Sequence, residues 1–461
     1  MSKKSYSMDM CNGPILGKML RFALPLMCSS MLQILFNAAD IIVVGKFGAE
    51  HSIAAVGSNS SLINLMTNLF IGLSVGANVL VARYFGAKRG KDIKETVHTS
   101  MTLSLLSGIA IAIIGIILAP ILLELMNTPD EIIHSATTYL RIYFLGMPAM
   151  MIYNFGNAIL RAVGDTKRPL YFLFGAGLIN VLLNLLFVIV FKWDVVGVAA
   201  STVISQCISA LLIVICLLKE QGDFRLEFKS LRIHKDKLKD ILKIGLPAGL
   251  QGTIFSLSNV VIQSSVNLFG ASVVDGNSAA QNIESVVYFA MNAFHHATLS
   301  FTSQNIGAGK RERVRKILCT GLLCAITAGI LTGGLVVLFS EELLSIYIKD
   351  EAAIKAGVIR LNFICGTYAL CGIMDVMVGS IRGMGYAVMP MIVSLIGACG
   401  LRLVWIATVF QIPKYHVIET VYTSYPVTWT ITFISHVICF IIIQNTHRKK
   451  NNNEKISVKS F

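Results

Sequence analysis

The sequence predicts an all-α polytopic membrane protein, with twelve transmembrane helices in two parallel-repeat six-helix lobes around a central cavity. Three observations predict this fold: the composition, the spacing of the apolar stretches and an internal repeat. The 461 residues are 55% hydrophobic and only 14% charged, and their mean hydropathy is +0.70. A soluble globule of this size needs more charged residues to cover its surface, so the composition excludes the soluble classes.

Apolar stretches alternate along the chain with joints that are charged or contain proline or glycine. About 20 apolar residues at a rise of 1.5 Å each cover the hydrocarbon core of a bilayer, and the stretches reach that length. The N-terminus has no short apolar core followed by a small-residue cleavage site, so we expect the first stretch to remain as a helix. In order, the predicted helices span residues 18–45, 52–82, 97–122, 132–160, 169–191, 195–218, 240–270, 278–304, 316–340, 352–381, 388–411 and 422–445.

The second half of the chain repeats landmarks of the first half at a nearly constant offset. The matched segments are residues 18–25 with 240–247, 83–93 with 304–314, and 160–169 with 381–390. Because each repeat holds six helices, an even number, the halves have the same orientation and are related by an axis along the membrane normal. This arrangement is typical of carriers in which two bundles rock about a central cleft.

The basic residues set the orientation of the chain in the membrane. If both termini are cytoplasmic, most of the 39 lysine and arginine residues fall on the cytoplasmic side, as the positive-inside rule requires. The net charge of +14 therefore reflects the cytoplasmic loops and implies no nucleic-acid partner. The predicted domains are an N-terminal lobe at residues 1–218, a cytoplasmic linker at 219–239, a C-terminal lobe at 240–445 and a basic cytoplasmic tail at 446–461.

Several kinds of chemistry have no signal in the sequence. The ten cysteines lie mostly within predicted helices, without CxxC or Cys/His spacing, so we assign no disulfide and no metal site. No GxxxxGK[ST] loop is present, which excludes ATP as the energy source, and no cluster of His, Asp and Glu indicates an active site. We therefore expect no catalytic residue, no enzyme activity and no cofactor apart from a coupling ion.

Asp40 is a carboxylate within the apolar stretch from residue 22 to residue 48. An ionised aspartate there costs on the order of several kcal/mol unless it faces a polar cavity or binds a proton or a cation. We therefore interpret Asp40 as an ion-coupling residue. The alternative is an aspartate near a helix end that reaches the membrane interface or is capped by the amide of Asn37. In the second repeat Ile262 holds the corresponding position, so the carboxylate belongs to one lobe.

Three motifs carry a family resemblance: LFNAADIIVVGKFG around Asp40, LRAVGDTKRP before the fifth predicted helix, and QNIGAGKRERV after the eighth. With the surrounding segments they resemble the multidrug and toxic compound extrusion (MATE) family, in its bacterial branch. The resemblance covers nearly the whole chain. It implies two six-helix lobes around a V-shaped cavity, location in the bacterial cytoplasmic membrane, and export of amphipathic, often cationic, compounds in exchange for H⁺ or Na⁺.

The resemblance also implies a polar network in the first lobe that couples Asp40 to the fifth and sixth predicted helices. Its positions hold Asn180, Asn184 and Thr202 in this chain. Asn184 departs from the pattern, because many relatives carry an aspartate there. An amide cannot titrate but its oxygen can bind Na⁺, so the departure weakens a two-carboxylate proton site and leaves the ion open between H⁺ and Na⁺. Tyr139 offers a hydroxyl to this network, unless it is an interfacial aromatic residue.

Polar side chains in other predicted helices are candidates for the substrate cavity. Glu284 is either an acid of the outer vestibule that attracts cations or a charge at a helix start. Asp375 lies deeper and is either a coupling or cation-binding residue or the partner of Arg402 in a salt bridge. Uncharged amides within a span seek partners inside the bundle, and those considered are Gln33, Asn37, Asn154, Asn157, Gln251, Asn259 and Gln263.

The sequence therefore predicts a secondary active efflux transporter that exports amphipathic, cationic organic compounds by H⁺ or Na⁺ antiport with alternating access. The alternative is a lipid-linked saccharide flippase of the related superfamily, which would line the cleft with cationic residues rather than the acids and amides found. A membrane-embedded enzyme is disfavoured, because no cluster of reactive residues is present. We expect a small organic substrate and the lipid bilayer as partners, no nucleic acid, and a monomer.

Overall fold

The computed structural model describes residues 6–48, 52–57, 59–126 and 128–459, without side-chain detail at residues 53, 54, 60, 61 and 447–459. Within these ranges the chain is helical and contains no β-strand, which confirms the predicted all-α class. Helices are the expected form for apolar stretches, because the hydrocarbon core offers no partner to backbone N–H and C=O groups.

The first half of the chain follows the first six predicted helices, with two departures. The predicted helix at residues 132–160 is broken at Gly146 into two helices, and a short helix precedes the main part of the second span. The helices are α1 (Ile15–Phe47), α2 (Ser52–Gly57), α3 (Ser60–Gly86), α4 (Gly90–Leu125), α5 (Asp130–Leu145), α6 (Met147–Ala162), α7 (Lys167–Asn184), which continues into a π-helical turn (Leu185–Val190), and α8 (Asp194–Lys219).

The second half follows the remaining six predicted helices. The predicted helix at residues 352–381 is a pair bent by 44°, and the predicted helix at residues 388–411 contains a π-helical turn. The helices are α9 (Lys235–Val266), α10 (Ala271–Gly307), α11 (Arg311–Leu338), α12 (Ser340–Ser345), α13 (Glu351–Cys365), α14 (Ala369–Gly383), α15 (Val388–Ser394), the π-helical turn (Leu395–Gly400), α16 (Leu401–Ala407) and α17 (Ile418–Lys459). Short 3₁₀ turns join some of them.

Among the described residues, eight helical segments are long and apolar enough to cross a membrane, and the bent pair α13–α14 makes a ninth. Other long helices, α9 and α10 among them, carry polar side chains such as Gln251, Gln263 and Asn277 along their length. Polar residues in a spanning helix face the interior of a bundle or a polar cavity rather than lipid. The composition of α9 and α10 is therefore that of interior helices.

The chain divides into two compact units, Met1–Ser256 with Ser300–Val314, and Leu257–Leu299 with Arg315–Phe461. The first unit thus includes the first sequence repeat together with parts of α9, α10 and α11 from the second. These are units of packing, and the predicted lobe and linker boundaries stay a prediction. Both units have cores of buried apolar side chains; in the first, Phe144, Phe155 and Leu160 are fully buried.

A glycine brings α1 and α7 close together in the first unit. Gly177 on α7 faces the ring of Phe36 on α1, and a Cβ at this glycine would come within 1.8 Å of that ring. Residues three, four or seven positions apart share a helix face. Asp40 therefore lies one turn beyond Phe36 on the contact face of α1, and Asn180 and Asn184 lie one and two turns beyond Gly177 on α7. This close approach positions the candidate site.

Candidate ion-coupling site

Asp40 is half-buried in the last turns of α1. The amide of Asn184, the last residue of α7, donates a hydrogen bond from Nδ2 to Asp40 Oδ1. The same Nδ2 lies 3.3 Å from Oδ1 of Asn180, one turn earlier on α7. Asn184 is fully buried, and its own Oδ1 has no hydrogen-bond partner among the residues that the structure describes. The structure thus brings three of the predicted residues into contact and leaves one buried amide oxygen beside the carboxylate.

Thr202 on α8 adds a hydroxyl to this group. Its side chain interacts with the Asp40 carboxylate, and its hydroxyl donates to the Val198 carbonyl of its own helix at 3.0 Å. Carboxylate, amide and hydroxyl oxygens are the ligands that hard cations prefer, and a carboxylate also accepts a proton. The donor set around Asp40 is therefore chemically suited to H⁺ or to Na⁺.

Two tyrosines of α5 lie beside the same carboxylate. The rings of Tyr139 and Tyr143 stack with centroids 6.0 Å apart, and the charge of Asp40 acts on both phenols. Tyr139 is buried, and the side chain of Gln206 interacts with the Tyr143 hydroxyl. Tyr139 therefore faces the interior of the first unit, close to the predicted network, rather than the membrane interface.

The predicted cavity amides of the first unit differ in their surroundings. Gln33 and Asn37 are exposed on α1, and Gln251 is buried on α9. Asn154 donates to the carbonyl of Met150, one turn back on α6, at 2.9 Å, so its amide is used within its own helix. Asn157 has a buried Oδ1 that accepts no hydrogen bond from any described residue. The assignment of these five side chains to a cavity stays a prediction.

In the second unit, Gln263 belongs to a group of amides near the end of α9. Its Oε1 accepts from Asn277 at 2.9 Å and from Gln281 at 3.2 Å, and its Nε2 donates to Asn267 at 2.9 Å. Asn259, one turn earlier on α9, is exposed. Gln263 is thus tied to α10 by hydrogen bonds, as expected for an amide that seeks partners within a bundle.

Glu284 is paired with an arginine in the second unit. Arg360 on α13 donates to both carboxylate oxygens, from Nη2 at 2.7 Å and from Nε at 3.1 Å, and its Nη1 donates to Asn277 Oδ1 at 2.8 Å. The Glu284 side chain is 13% exposed, and the Arg360 side chain is 3% exposed. Because α10 begins at Ala271, Glu284 lies well inside the helix, so an interaction with the helix start does not explain it. Its carboxylate is neutralised by Arg360.

Asp375 on α14 contacts a different set of groups. The side chain of Tyr288 interacts with it, and so does the charge of Arg382, two turns further along α14. The predicted alternative partner Arg402 instead lies over the ring of Tyr425 at 3.9 Å and donates to Thr428 at 3.2 Å. The salt bridge between Asp375 and Arg402 is therefore absent among the described residues. The role of Asp375 in coupling stays a prediction.

The comparisons with known proteins agree with the two-fold pattern of the sequence. A family model described as MatE matches the chain twice, over residues 25–186 and 247–408. The matches begin at Pro25 and Pro247, two corresponding positions of the internal repeat, and together they cover more than half of the chain. The chain belongs to the MatE family. The predicted family and the predicted repeat are thereby confirmed.

Relatives of this MatE protein match over nearly their whole length. It is 28% identical over 423 residues to the probable multidrug resistance protein YoeA of Bacillus subtilis, which covers 90% of each chain. It is 29% identical over 395 residues to the probable multidrug resistance protein YpnP of the same organism, covering 86% of this chain and 88% of that one.

A solved structure described as the outward-facing conformation of a multidrug resistance MATE family transporter is similar in fold. It has a TM-score of 0.90 at 21% identity and covers 97% of this chain and 100% of that chain. The predicted fold class, with twelve transmembrane helices in two lobes, is therefore confirmed for this MatE protein. The chain is a multi-pass membrane transporter.

Proposed function

We propose that this MatE transporter is a secondary active exporter of amphipathic, cationic organic compounds, driven by exchange for H⁺ or Na⁺ at Asp40. One observation carries the proposal: the Asp40 carboxylate sits in an apolar helix and is contacted by the amide of Asn184 and the hydroxyl of Thr202. The relatives named as multidrug resistance proteins support the substrate class.

The amide of Asn184 can respond to the state of Asp40. An amide presents two N–H donors on one side and a carbonyl oxygen on the other. The donor side faces Asp40 here, which suits an ionised carboxylate, and the oxygen is buried without a partner in the described part of the chain. When Asp40 takes up H⁺ or Na⁺, a turn of the amide presents that oxygen to the proton or the cation. Asn184 thereby replaces a second carboxylate as the partner of the loaded ion.

Neutralisation of Asp40 couples the ion to the cargo. An ionised carboxylate in a low-dielectric span attracts an organic cation, and a neutral Asp40 does not. Ion loading from outside therefore weakens cation binding and favours release of the substrate to the outside. A ligand shifts a conformational equilibrium only by its differential affinity for the two states, and the charge of Asp40 supplies that difference for both ligands.

The flippase alternative predicts cationic side chains that are free to bind a pyrophosphate. In the second unit, Arg360 is occupied by Glu284 and Arg402 by Tyr425 and Thr428. The exporter is therefore the better-supported function. We further propose that the chain lies in the bacterial cytoplasmic membrane as a monomer with both termini cytoplasmic, because most lysine and arginine residues then lie inside.

The test is efflux of a fluorescent organic cation from loaded vesicles, with a pH gradient and a Na⁺ gradient imposed separately. We expect one gradient to drive efflux in the wild type and neither to drive it in Asp40→Asn. Asp130→Asn, which removes an exposed carboxylate in the first turn of α5, is the matched control and keeps full activity. Gradient-driven efflux by Asp40→Asn at the wild-type rate overturns the role of Asp40. Absence of cation efflux in the wild type favours the flippase.

A further inference from the structure

The N-terminal segment, residues 8–13, precedes α1 without helical structure and is packed onto the protein. The backbone N–H of Met8 donates to the Val163 carbonyl at 3.0 Å. Gly164 has a φ of 93° and lies against Met8, so closely that a Cβ there would come within 2.6 Å of the Met8 Cβ. The Met10 side chain is fully buried. One side of the segment is therefore seated on the turn that follows α6.

The end of α10 and the start of α11 hold the other side of the segment. Three side chains donate hydrogen bonds to its backbone carbonyls: Asn305 to Met10 at 3.0 Å, Lys310 to Cys11 at 3.1 Å, and Arg313 to Gly13. All these residues lie in the first compact unit. In the sequence, however, α6 belongs to the first repeat and α10 and α11 to the second. The segment therefore bridges the two repeats.

Beside this bridge, the helices α3 and α10 meet backbone to backbone. A Cβ on Gly86 would lie 2.0 Å from the carbonyl oxygen of Gln304, and a Cβ on Gly307 would lie 1.8 Å from that of Arg83. Glycine at both positions allows the two backbones to touch. No side chain fits between them, so this contact closes the ends of α3 and α10 against each other.

The segment also has internal bonds that preserve its shape. Asp9 accepts from the Cys11 backbone N–H at 2.8 Å and from the Asn12 amide at 2.9 Å, and Lys18 on α1 donates to the Asn12 carbonyl at 2.8 Å. These bonds lie within the segment and α1. The segment can therefore leave Asn305, Lys310 and Arg313 as one piece that stays attached to α1.

We propose that residues 8–13 are a latch that holds the cytoplasmic ends of the two repeats closed and is released each time the transporter opens to the cytoplasm. The inference rests on the proposed function, because alternating access requires the repeats to separate at this end. Lys310 is exposed and Arg313 is half-buried, so water replaces their bonds to the carbonyls when the latch leaves. The internal bonds of the segment are kept throughout the cycle.

The first experiment fixes the latch in place with a reversible cross-link. Cys11 Sγ lies 4.0 Å from Gln304 Oε1, so Gln304→Cys places a second thiol near the native one. A short membrane-permeant bis-methanethiosulfonate reagent joins the two thiols through disulfides. We expect cation efflux to fall about tenfold or more on cross-linking and to recover on reduction, since a required conformational step is blocked. Wild-type protein treated in the same way is the control and keeps its activity.

The outcomes of this experiment separate the two proposals. Efflux that is unchanged in protein shown by mass spectrometry to be cross-linked overturns the latch. Absence of efflux in untreated wild type counts against the proposed function instead. Because the same protein is measured before cross-linking, after it and after reduction, a folding defect of Gln304→Cys is recognised by low activity at the start and after reduction.

The second experiment measures the release of the latch in the wild-type chain. Cys11 is half-buried, and burial raises the pKa of its thiol, so alkylation in the closed state is slow. We expect alkylation of Cys11 by a reagent added on the cytoplasmic side to become about threefold faster during gradient-driven turnover. Met10→Ser, which removes the buried anchor, speeds alkylation without turnover, whereas Leu16→Ser, an exposed residue of α1, does not. Equal rates with and without turnover overturn the latch.

Discussion

The amide of Asn184 donates a hydrogen bond to the carboxylate of Asp40, so the last residue of α7 is tied to the one carboxylate of α1 that lies within its apolar stretch. Asn184 also has a buried oxygen that no described residue contacts through a hydrogen bond. The NH₂ group of this amide thus contacts the candidate ion-binding residue, and its carbonyl oxygen is left to accept a hydrogen bond or bind a cation. The first prediction concerns this pair.

Asn184→Asp replaces the donor beside Asp40 with a second carboxylate. Two carboxylates in contact repel each other unless one is protonated or a cation lies between them. We expect the variant to be destabilised, on the order of 1–3 kcal/mol, in Na⁺-free buffer at alkaline pH, because the donor of a buried hydrogen bond is lost. Acid or Na⁺ should restore thermal stability, and the more effective of the two indicates the coupling ion.

Thermal unfolding in detergent, at two pH values with and without Na⁺, measures this effect. Asn282→Asp is the control, because Asn282 is exposed on α10 and bonds only to the Ser278 carbonyl of its own helix. A stability of Asn184→Asp that is independent of both pH and Na⁺ contradicts the assigned contact.

Gly177→Ala adds a methyl group that meets the ring of Phe36. Since the new Cβ would lie 1.8 Å from that ring, α1 and α7 must move apart, at a cost of about 1–3 kcal/mol for overpacking. The move separates Asp40 from Asn184, so we expect a loss of efflux of roughly tenfold, because about 1.4 kcal/mol corresponds to tenfold. Initial efflux rates at equal protein amounts measure it.

Two further variants test whether the clash is the cause. Gly175→Ala lies on the same helix with nothing within 4 Å of its new Cβ and should retain activity. Phe36→Ala in the Gly177→Ala background removes the obstructing ring and should restore part of the efflux. If Gly175→Ala and Gly177→Ala lose activity equally, the close approach of α1 and α7 is not what positions the site.

Arg360→Met leaves the Glu284 carboxylate without its counter-ion. Breaking a buried ion pair from one side costs about 3–5 kcal/mol, because a buried charge remains uncompensated. Arg360→Met/Glu284→Gln removes both charges and should be more stable than Arg360→Met alone. Chemical unfolding of the wild type, the two single variants and the double variant forms the cycle that measures the coupling.

The same helix offers a matched control for this cycle. Lys355 and Glu351 form an exposed ion pair at 2.9 Å in α13, and Lys355→Met should leave stability nearly unchanged. If the Arg360 and Lys355 variants are destabilised alike, burial does not account for the strength of the pair between Arg360 and Glu284.

Asp9 makes the stability of the N-terminal segment dependent on pH. Burial alone would raise its pKa, but hydrogen bonds from the Asn12 amide and the Cys11 N–H, with the charge of Lys18, hold the pKa below its usual value. Because the folded-state pKa is the lower one, this stabilisation is present above the unfolded-state pKa and is lost as pH falls through the folded-state pKa.

The comparison of wild type with Asp9→Asn tests this dependence. We expect the wild type to unfold at the higher temperature near pH 7, and the difference to shrink as pH falls below about 3.9, the ordinary pKa of aspartate, and through the lowered folded-state pKa of Asp9. Thermal unfolding across this range gives the measurement. A difference that grows on acidification contradicts the sign of the shift.

The residues around Asp40 could be predicted from the sequence because polar side chains stand out within apolar stretches. The family resemblance pointed to Asn180, Asn184 and Thr202. The structure places Asn184 and Thr202 at the carboxylate, and Asn180 against the amide of Asn184. The sequence did not indicate what holds α1 against α7, since the contact of Gly177 with Phe36 joins two apolar positions that carry no distinguishing signal. Packing of this kind depends on the shapes of distant side chains.

The partner of Glu284 could not be predicted from one sequence. Arg360 lies 76 residues away, in a different predicted helix, residues 352–381. The predicted start of the helix that contains Glu284 was also wrong. The helix α10 begins at Ala271, seven residues before the predicted start, so Glu284 lies in the middle of the helix and not in its first turns. Likewise a single glycine, Gly146, gave no sign that it separates α5 from α6. Helix ends and breaks depend on tertiary contacts that local patterns do not contain.

The contact of Gly86 with Gly307 has a bearing on the origin of the chain. Arg83 and Gly86 correspond to Gln304 and Gly307 in the internal repeat. Gly86 lies against the carbonyl of Gln304, and Gly307 lies against the carbonyl of Arg83. This is the reciprocal pattern of an isologous interface between identical subunits. Two copies of an ancestral six-helix chain would form this contact across a two-fold axis, with the glycine of each copy against the corresponding carbonyl of the other copy. A side chain at either position would force the two backbones apart, so the contact requires glycine in both halves of the chain.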